Sequence, residues 1–141
     1  MSWERIQTYV GRGEHVAVSW RISGGRSTPA LAVSISRDVC ERLGLRKNEK
    51  GELVQRVIVE RDRMAGKLRL QLAPLGTPRT QSRHLAWKDR GCTVGVPLED
   101  VKLKEKKPAQ DCVWSIEGGW LIVKLPHWAC PMVQVSGGKA A

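Results

Sequence analysis

Residues 21–45 read RISGGRSTPALAVSISRDVCERLGL. Large apolar side chains at Leu31, Val33 and Ile35 alternate with small or polar ones at Ala30, Ala32 and Ser34. That period of two predicts a strand with one buried face. Ser36–Leu45 then predicts a two-turn helix. Ser36 is a good N-cap, Asp38 puts negative charge at the positive end of the helix dipole, and Val39 and Leu43 share a face at i and i+4. Gly44 is the expected stop. Ahead of the strand lies a Gly/Ser loop carrying Arg26, with Arg21 at its start.

Working outward, His15–Ile22 predicts a strand before that loop, and residues 53–73 predict a β-hairpin. Lys67-Leu68-Arg69-Leu70-Gln71-Leu72 alternates strictly, and Arg61–Gly66 has the polar, glycine-ended character of a hairpin loop. The same order then recurs. Val33–Asp38 is echoed by Val94-Gly95-Val96-Pro97-Leu98-Glu99. The run Gly66-x-Leu68-x-Leu70-x-Leu72 is echoed by Gly119-x-Leu121-x-Val123-x-Leu125. A repeat of this kind governs the fold reading. It gives one domain over 1–141, with repeat one at 15–74, a basic joint at 75–91, repeat two at 92–126 and a tail at 127–141. In the second copy the helix shrinks to about one turn around Leu98–Leu103. The joint, read as loop, holds Arg79, Arg83, His84, Lys88 and Arg90 against one acid, Asp89.

Over all 141 residues, Lys and Arg number 24 against 14 Asp and Glu, a net charge of +10. The excess sits in residues 31–110, with 18 basic and 10 acidic side chains. Such a balance favours polyanionic partners, because basic groups near phosphates release condensed counterions. Six tryptophans, one tyrosine and no phenylalanine predict a Val/Leu/Ile core, with indoles placed where the N–H finds an acceptor. No stretch approaches the roughly 18 apolar residues of a membrane helix, so no membrane partner is expected. Four scattered cysteines without an export signal predict reduced thiols and a cytoplasmic protein.

The stretch Trp20-Arg21, a Gly/Ser loop, then LAVSISRDVCERLGL (Leu31–Leu45), followed by a hairpin of alternating leucines, resembles the AbrB/MazE-like (SpoVT-AbrB) DNA-binding domain. The similarity covers residues 20–74 well and 84–126 weakly. Here the first loop is longer, Asn48-Glu49-Lys50-Gly51 replaces a compact Gly-Asp, and the second helix is lost. The resemblance implies a fold that is mainly β with short helices (α+β), a swapped-hairpin β-barrel duplicated within one chain, so that a monomer can form the pseudo-dimer. It implies a double-stranded DNA-binding protein, a transcriptional regulator or antitoxin-like repressor. Carried over by position, it places DNA contacts at Arg21, Arg26 and Arg37 in copy one and at Lys88 and Arg90 in copy two. The charge of the joint adds Arg79 and Arg83 as candidate phosphate contacts.

Other chemistries fit less well. His127 and Cys130 lie close in sequence but lack a third, orienting group, so no catalysis is expected. Cys92, Cys112, His127 and Cys130 are of metal-ligand type without paired spacing, so no metal or other cofactor is expected. Lys102, Lys104, Lys106 and Lys107 read as a solvated run with helical spacing through 102–106. Two rival functions share the same scaffold. One is a protein-binding inhibitor or adaptor, for example one encoded by a mobile element, using terminal aromatics Trp3, Tyr9 and Trp128. The other is RNA binding through the basic loops.

Overall fold

The computed structural model describes residues 13–22, 29–47 and 55–130. The described chain is mainly β. It runs β1 (Val16–Arg21), β2 (Ala30–Ser36), α1 (Arg37–Arg42), β3 (Arg56–Asp62), β4 (Lys67–Leu72), β5 (Arg83–His84), β6 (Ala86–Lys88), β7 (Gly91–Val96), β8 (Lys107–Asp111), β9 (Trp114–Glu117) and β10 (Trp120–Lys124). Single 3-10 turns sit at Arg79–Gln81 and His127–Ala129. Two five-stranded sheets form, in the orders β6-β7-β2-β1-β8 and β5-β3-β4-β10-β9, and every adjacent pair is antiparallel.

At the centre of each sheet, a strand from one repeat pairs with its counterpart from the other. Val33 faces Val94, with Ala32 opposite Gly95 and Ser34 opposite Thr93. In the second sheet Arg69 faces Ile122, with Leu70 opposite Leu121 and Leu68 opposite Val123. These are the residues that the sequence echo aligns, Val33 with Val94 and Leu68/Leu70 with Leu121/Val123. Exchanging the two halves therefore returns the same ladders. A pseudo-two-fold axis passes through both central pairs.

Two outer strands of the second half also pair with strands of the first. β8 of the second half pairs with β1 of the first, while β5 of the second pairs with β3 of the first. The inward faces merge in one cluster containing Val16, Val18, Trp20, Leu31, Val33 and Ile35 with Cys92, Val94 and Val96. Across from them lie Val57, Leu68, Leu70, Leu121 and Val123. Strict alternation explains this. In β4, Leu68 and Leu70 are buried while Lys67 and Arg69 face out. The Trp20 indole N–H reaches Leu103 O at 3.4 Å.

α1 ends as the sequence predicts. Gly44 adopts φ +79, Leu45 N–H bonds Cys40 O at 2.8 Å and Gly44 N–H bonds Glu41 O at 3.1 Å, which is a Schellman stop. Its beginning differs from the prediction. The Ser36 hydroxyl makes no cap bond; it accepts from His15 N–H and donates to Gly13 O, each at 3.0 Å. Ser36 is thus used to tie the start of β1 to the end of β2.

Two further expectations are corrected and one is kept. Residues 83–88, read as loop, carry β5 and β6. The second helix is, as expected, about one turn, closed by Val101 N–H on Leu98 O at 3.2 Å. The lysine run is not helical: it leads into edge strand β8, where Pro108 is tolerated because an edge strand leaves amides unpaired.

Candidate nucleic-acid interface

The face of the first sheet turned away from the core carries small side chains, of which Ala17, Ser19, Ala32 and Thr93 are buried and Ala86 is exposed. Ala17 and Ser19 come from β1, Ala32 and Ser34 from β2, Thr93 and Gly95 from β7, and Ala86 from β6. Their neighbours along each strand point into the core. Hairpin pairing fixes what borders this face. Trp20 faces Leu31 and Arg21 faces Ala30; Trp87 faces Cys92 and Lys88 faces Gly91. Since Leu31 and Cys92 are two-fold counterparts, so are Trp20 and Trp87, and hence Arg21 and Lys88. Each indole turns toward the core and each basic neighbour is exposed. Arg21 and Lys88 occupy diagonal corners of the face, about 24 Å apart by strand rise and spacing.

Further basic groups gather at each corner. Around Lys88, Arg37 N–H bonds Arg90 O at 2.9 Å and the Arg37 guanidinium donates to Asp89 O. The start of α1 in one half thus docks on the β6–β7 turn of the other, bringing Arg37, Lys88 and Arg90 together. Lys88 and Arg90 also line a cleft of about 150 Å3 with His15, Ser34, Ser36 and Thr93. At the opposite corner, pairing of Trp20 with Lys107 sets Lys106 and Lys107 beside Arg21, around a groove of about 540 Å3.

The predicted site residues therefore separate. Arg21, Arg37, Lys88 and Arg90 lie at the two corners, all exposed. Arg83 is half-buried and its Nε donates to Gly95 O at 2.8 Å, bracing β5 against β7. Arg79 sits in the 3-10 turn before β5, on the side of the joint that leads to β3, and nothing links it to either corner. Arg26 falls outside the described residues, as do Trp3 and Tyr9. Trp128, expected to be exposed, is half-buried with its ring edge-on to Trp20 at 6.2 Å. Its N–H donates to Gln110 Oε1 at 3.3 Å.

Sequence reasoning missed Lys106 and Lys107 as neighbours of Arg21. It also missed the equivalence of Arg21 and Lys88, for which the available signal was the echo of Val18-Ser19-Trp20-Arg21 in Leu85-Ala86-Trp87-Lys88.

The other chemical groups lie elsewhere. Cys112, His127 and Cys130 line one cleft of about 390 Å3. Burial pushes the Cys112 and Cys130 thiols up, away from the thiolate that nucleophilic chemistry needs. Cys92 is instead packed against Cys40. Among the described residues, no group of three or more His, Cys, Asp or Glu side chains converges as a metal site would. No helix among them is long and apolar enough to cross a membrane. No family model matches this chain, nor does any curated protein or solved structure.

Proposed function

We propose that this chain binds double-stranded DNA across the outward face of its first sheet, as an AbrB/MazE-like swapped-hairpin domain folded from a single chain. In that role it acts as a transcriptional regulator or antitoxin-like repressor. The observation that carries the reading is the two-fold equivalence of Arg21 and Lys88. A duplex has two backbones related by local two-fold axes, and a protein that follows both needs basic groups in the same relation. The separation of the two corners is too great for one phosphate and suits two backbones. The pairing of each central strand with its counterpart from the other half supports the swapped-hairpin reading.

A salt titration with a pool of duplex DNA sequences tests this, with single-stranded and structured RNA as parallel arms. The expected result is duplex binding that falls log-linearly with salt. Arg21→Ala and Lys88→Ala should each flatten the slope by about one unit, uniformly across sequences. Absence of salt-dependent duplex binding at low ionic strength contradicts the proposal and favours a protein partner. Tighter binding to RNA at matched salt favours the RNA reading.

A further inference from the structure

The two cysteines nearest the Lys88 corner meet across the boundary between the halves. Cys40 lies on α1 and Cys92 near the start of β7. They are 52 residues apart in sequence, with their Sγ atoms 3.5 Å apart. Both residues are buried. α1 leaves β2 at Ser36, and Cys92 pairs with Ile35 at the end of that strand. The Cys40 thiol also lies 3.7 Å from Ile35 O. The helix and β7 are thus anchored to the same few residues of β2, and the sulfurs fill the space between them. From contact, a covalent S–S distance of about 2.05 Å needs only a small approach of the two side chains.

We propose that Cys40 and Cys92 form a reversible oxidation site, closing to a disulfide that ties the first half to the second when the protein meets a peroxide or disulfide oxidant. Two features besides the contact support this. The hydrogen bond between the two sulfurs lowers the pKa of the Cys40 thiol from its ordinary value and raises that of Cys92. Cys112 and Cys130 lack such a partner: Cys112 is directed to Gln110 O at 3.7 Å, and the pair lines a different cleft.

The step balances with peroxide as the named oxidant. A thiolate sulfur attacks one peroxide oxygen, the O–O bond breaks, and the departing hydroxide takes a proton to leave as water. The resulting sulfenic acid is attacked by the second sulfur, which loses its proton. The S–O bond breaks, a second water leaves and the S–S bond forms. Two thiols give up two electrons and two protons, and one peroxide becomes two waters. The link would fix α1 against β7, and so Arg37 against the turn bearing Arg90. The site does not depend on the nucleic-acid reading.

Peptide mapping of the full wild-type chain tests the proposal. The protein is exposed to hydrogen peroxide, or in a second arm to oxidised glutathione, denatured with an alkylating agent and digested without reductant. The expected result is an intact mass lower by two hydrogens, a linked peptide pair containing Cys40 and Cys92, and alkylated Cys112 and Cys130. Dithiothreitol should reverse all three changes, and the oxidised form should unfold at higher denaturant concentration. A Cys112→Ser/Cys130→Ser variant should form the same link. Four alkylated cysteines after treatment, a bridge involving Cys112 or Cys130, or irreversible sulfinic acid at Cys40 or Cys92 without a linked peptide would each overturn it.

Discussion

The two halves of the chain agree where they meet and differ where they do not. β2 and β7 match residue for residue around Val33 and Val94, as do β4 and β10 around Arg69 and Ile122. Away from these seams, the first half keeps a helix with a Schellman stop, whereas the second replaces it by the single turn Leu98–Val101. The seam is constrained from both sides, because each strand there pairs with its own counterpart. An outer element has no counterpart packed against it, and can shrink if its buried side chains still reach the core. Leu98 and Val101 do reach it.

The largest test of this contrast falls on the seam. Leu70 and Leu121 are directly paired and fully buried. Leu70→Ala and Leu121→Ala should each lower unfolding stability by about 2–5 kcal/mol, measured by urea denaturation. Both variants should keep a single transition, because one core serves both halves. Separate transitions by tryptophan fluorescence and circular dichroism would break the comparison.

A difference between the halves gives the next effect. Ala30 and Gly91 are two-fold counterparts, facing Arg21 and Lys88. Gly91 has φ +152, and a Cβ there would lie 1.9 Å from Ile35 O. Gly91→Ala should cost about 1–3 kcal/mol, because the backbone of β2 must yield. Ala30→Gly should cost about 0.5–1 kcal/mol, from lost rigidity alone. Equal costs in a thermal melt would mean that the crowding at Gly91 is not specific to the second half.

The smallest effect concerns what the second half gained in exchange for its helix. Asp100, on the shortened turn, bonds Arg61 of β3 at 2.7 Å in a largely shielded pair, and Arg61 also donates to Ala129 O at 3.2 Å. The hydrogen bond from Arg61 holds the Asp100 carboxyl below its ordinary range. A carboxyl depressed in the folded state stabilises fully above its unfolded value, about 3.9. That contribution is lost as pH falls through the lower native value. Asp100→Asn should therefore cost about 1–2 kcal/mol near neutrality, and the gap to wild type should close in acid. A gap that widens below pH 4 would contradict the assignment.

How much could be read in advance follows the same division. β2, α1 and the β3–β4 hairpin were legible because one-sided burial leaves a period of two, and a helix stop leaves a glycine. β6 and β8 were not. β6 is three residues long with only Trp87 turned inward. β8, Lys-Pro-Ala-Gln-Asp, is almost wholly exposed and so carries no alternation; only its pairing with β1 reveals it as a strand. That pairing is also what brings Lys106 and Lys107 to Arg21. The Arg37–Lys88–Arg90 corner was half legible. Its residue types and positions were, but not the docking of α1 on the opposite turn, which is a contact between halves distant in sequence.

The central claim is that the two halves close on each other within one chain, with the paired strands of the seam replacing the interface that two separate chains would need. Sedimentation equilibrium over a dilution series, with circular dichroism read on the same samples, tests it most directly. The account predicts the mass of a single chain with native β signal at the lowest concentrations, and any dimer seen at higher concentration dissociating without loss of that signal. A dimer whose dissociation coincides with unfolding would contradict it.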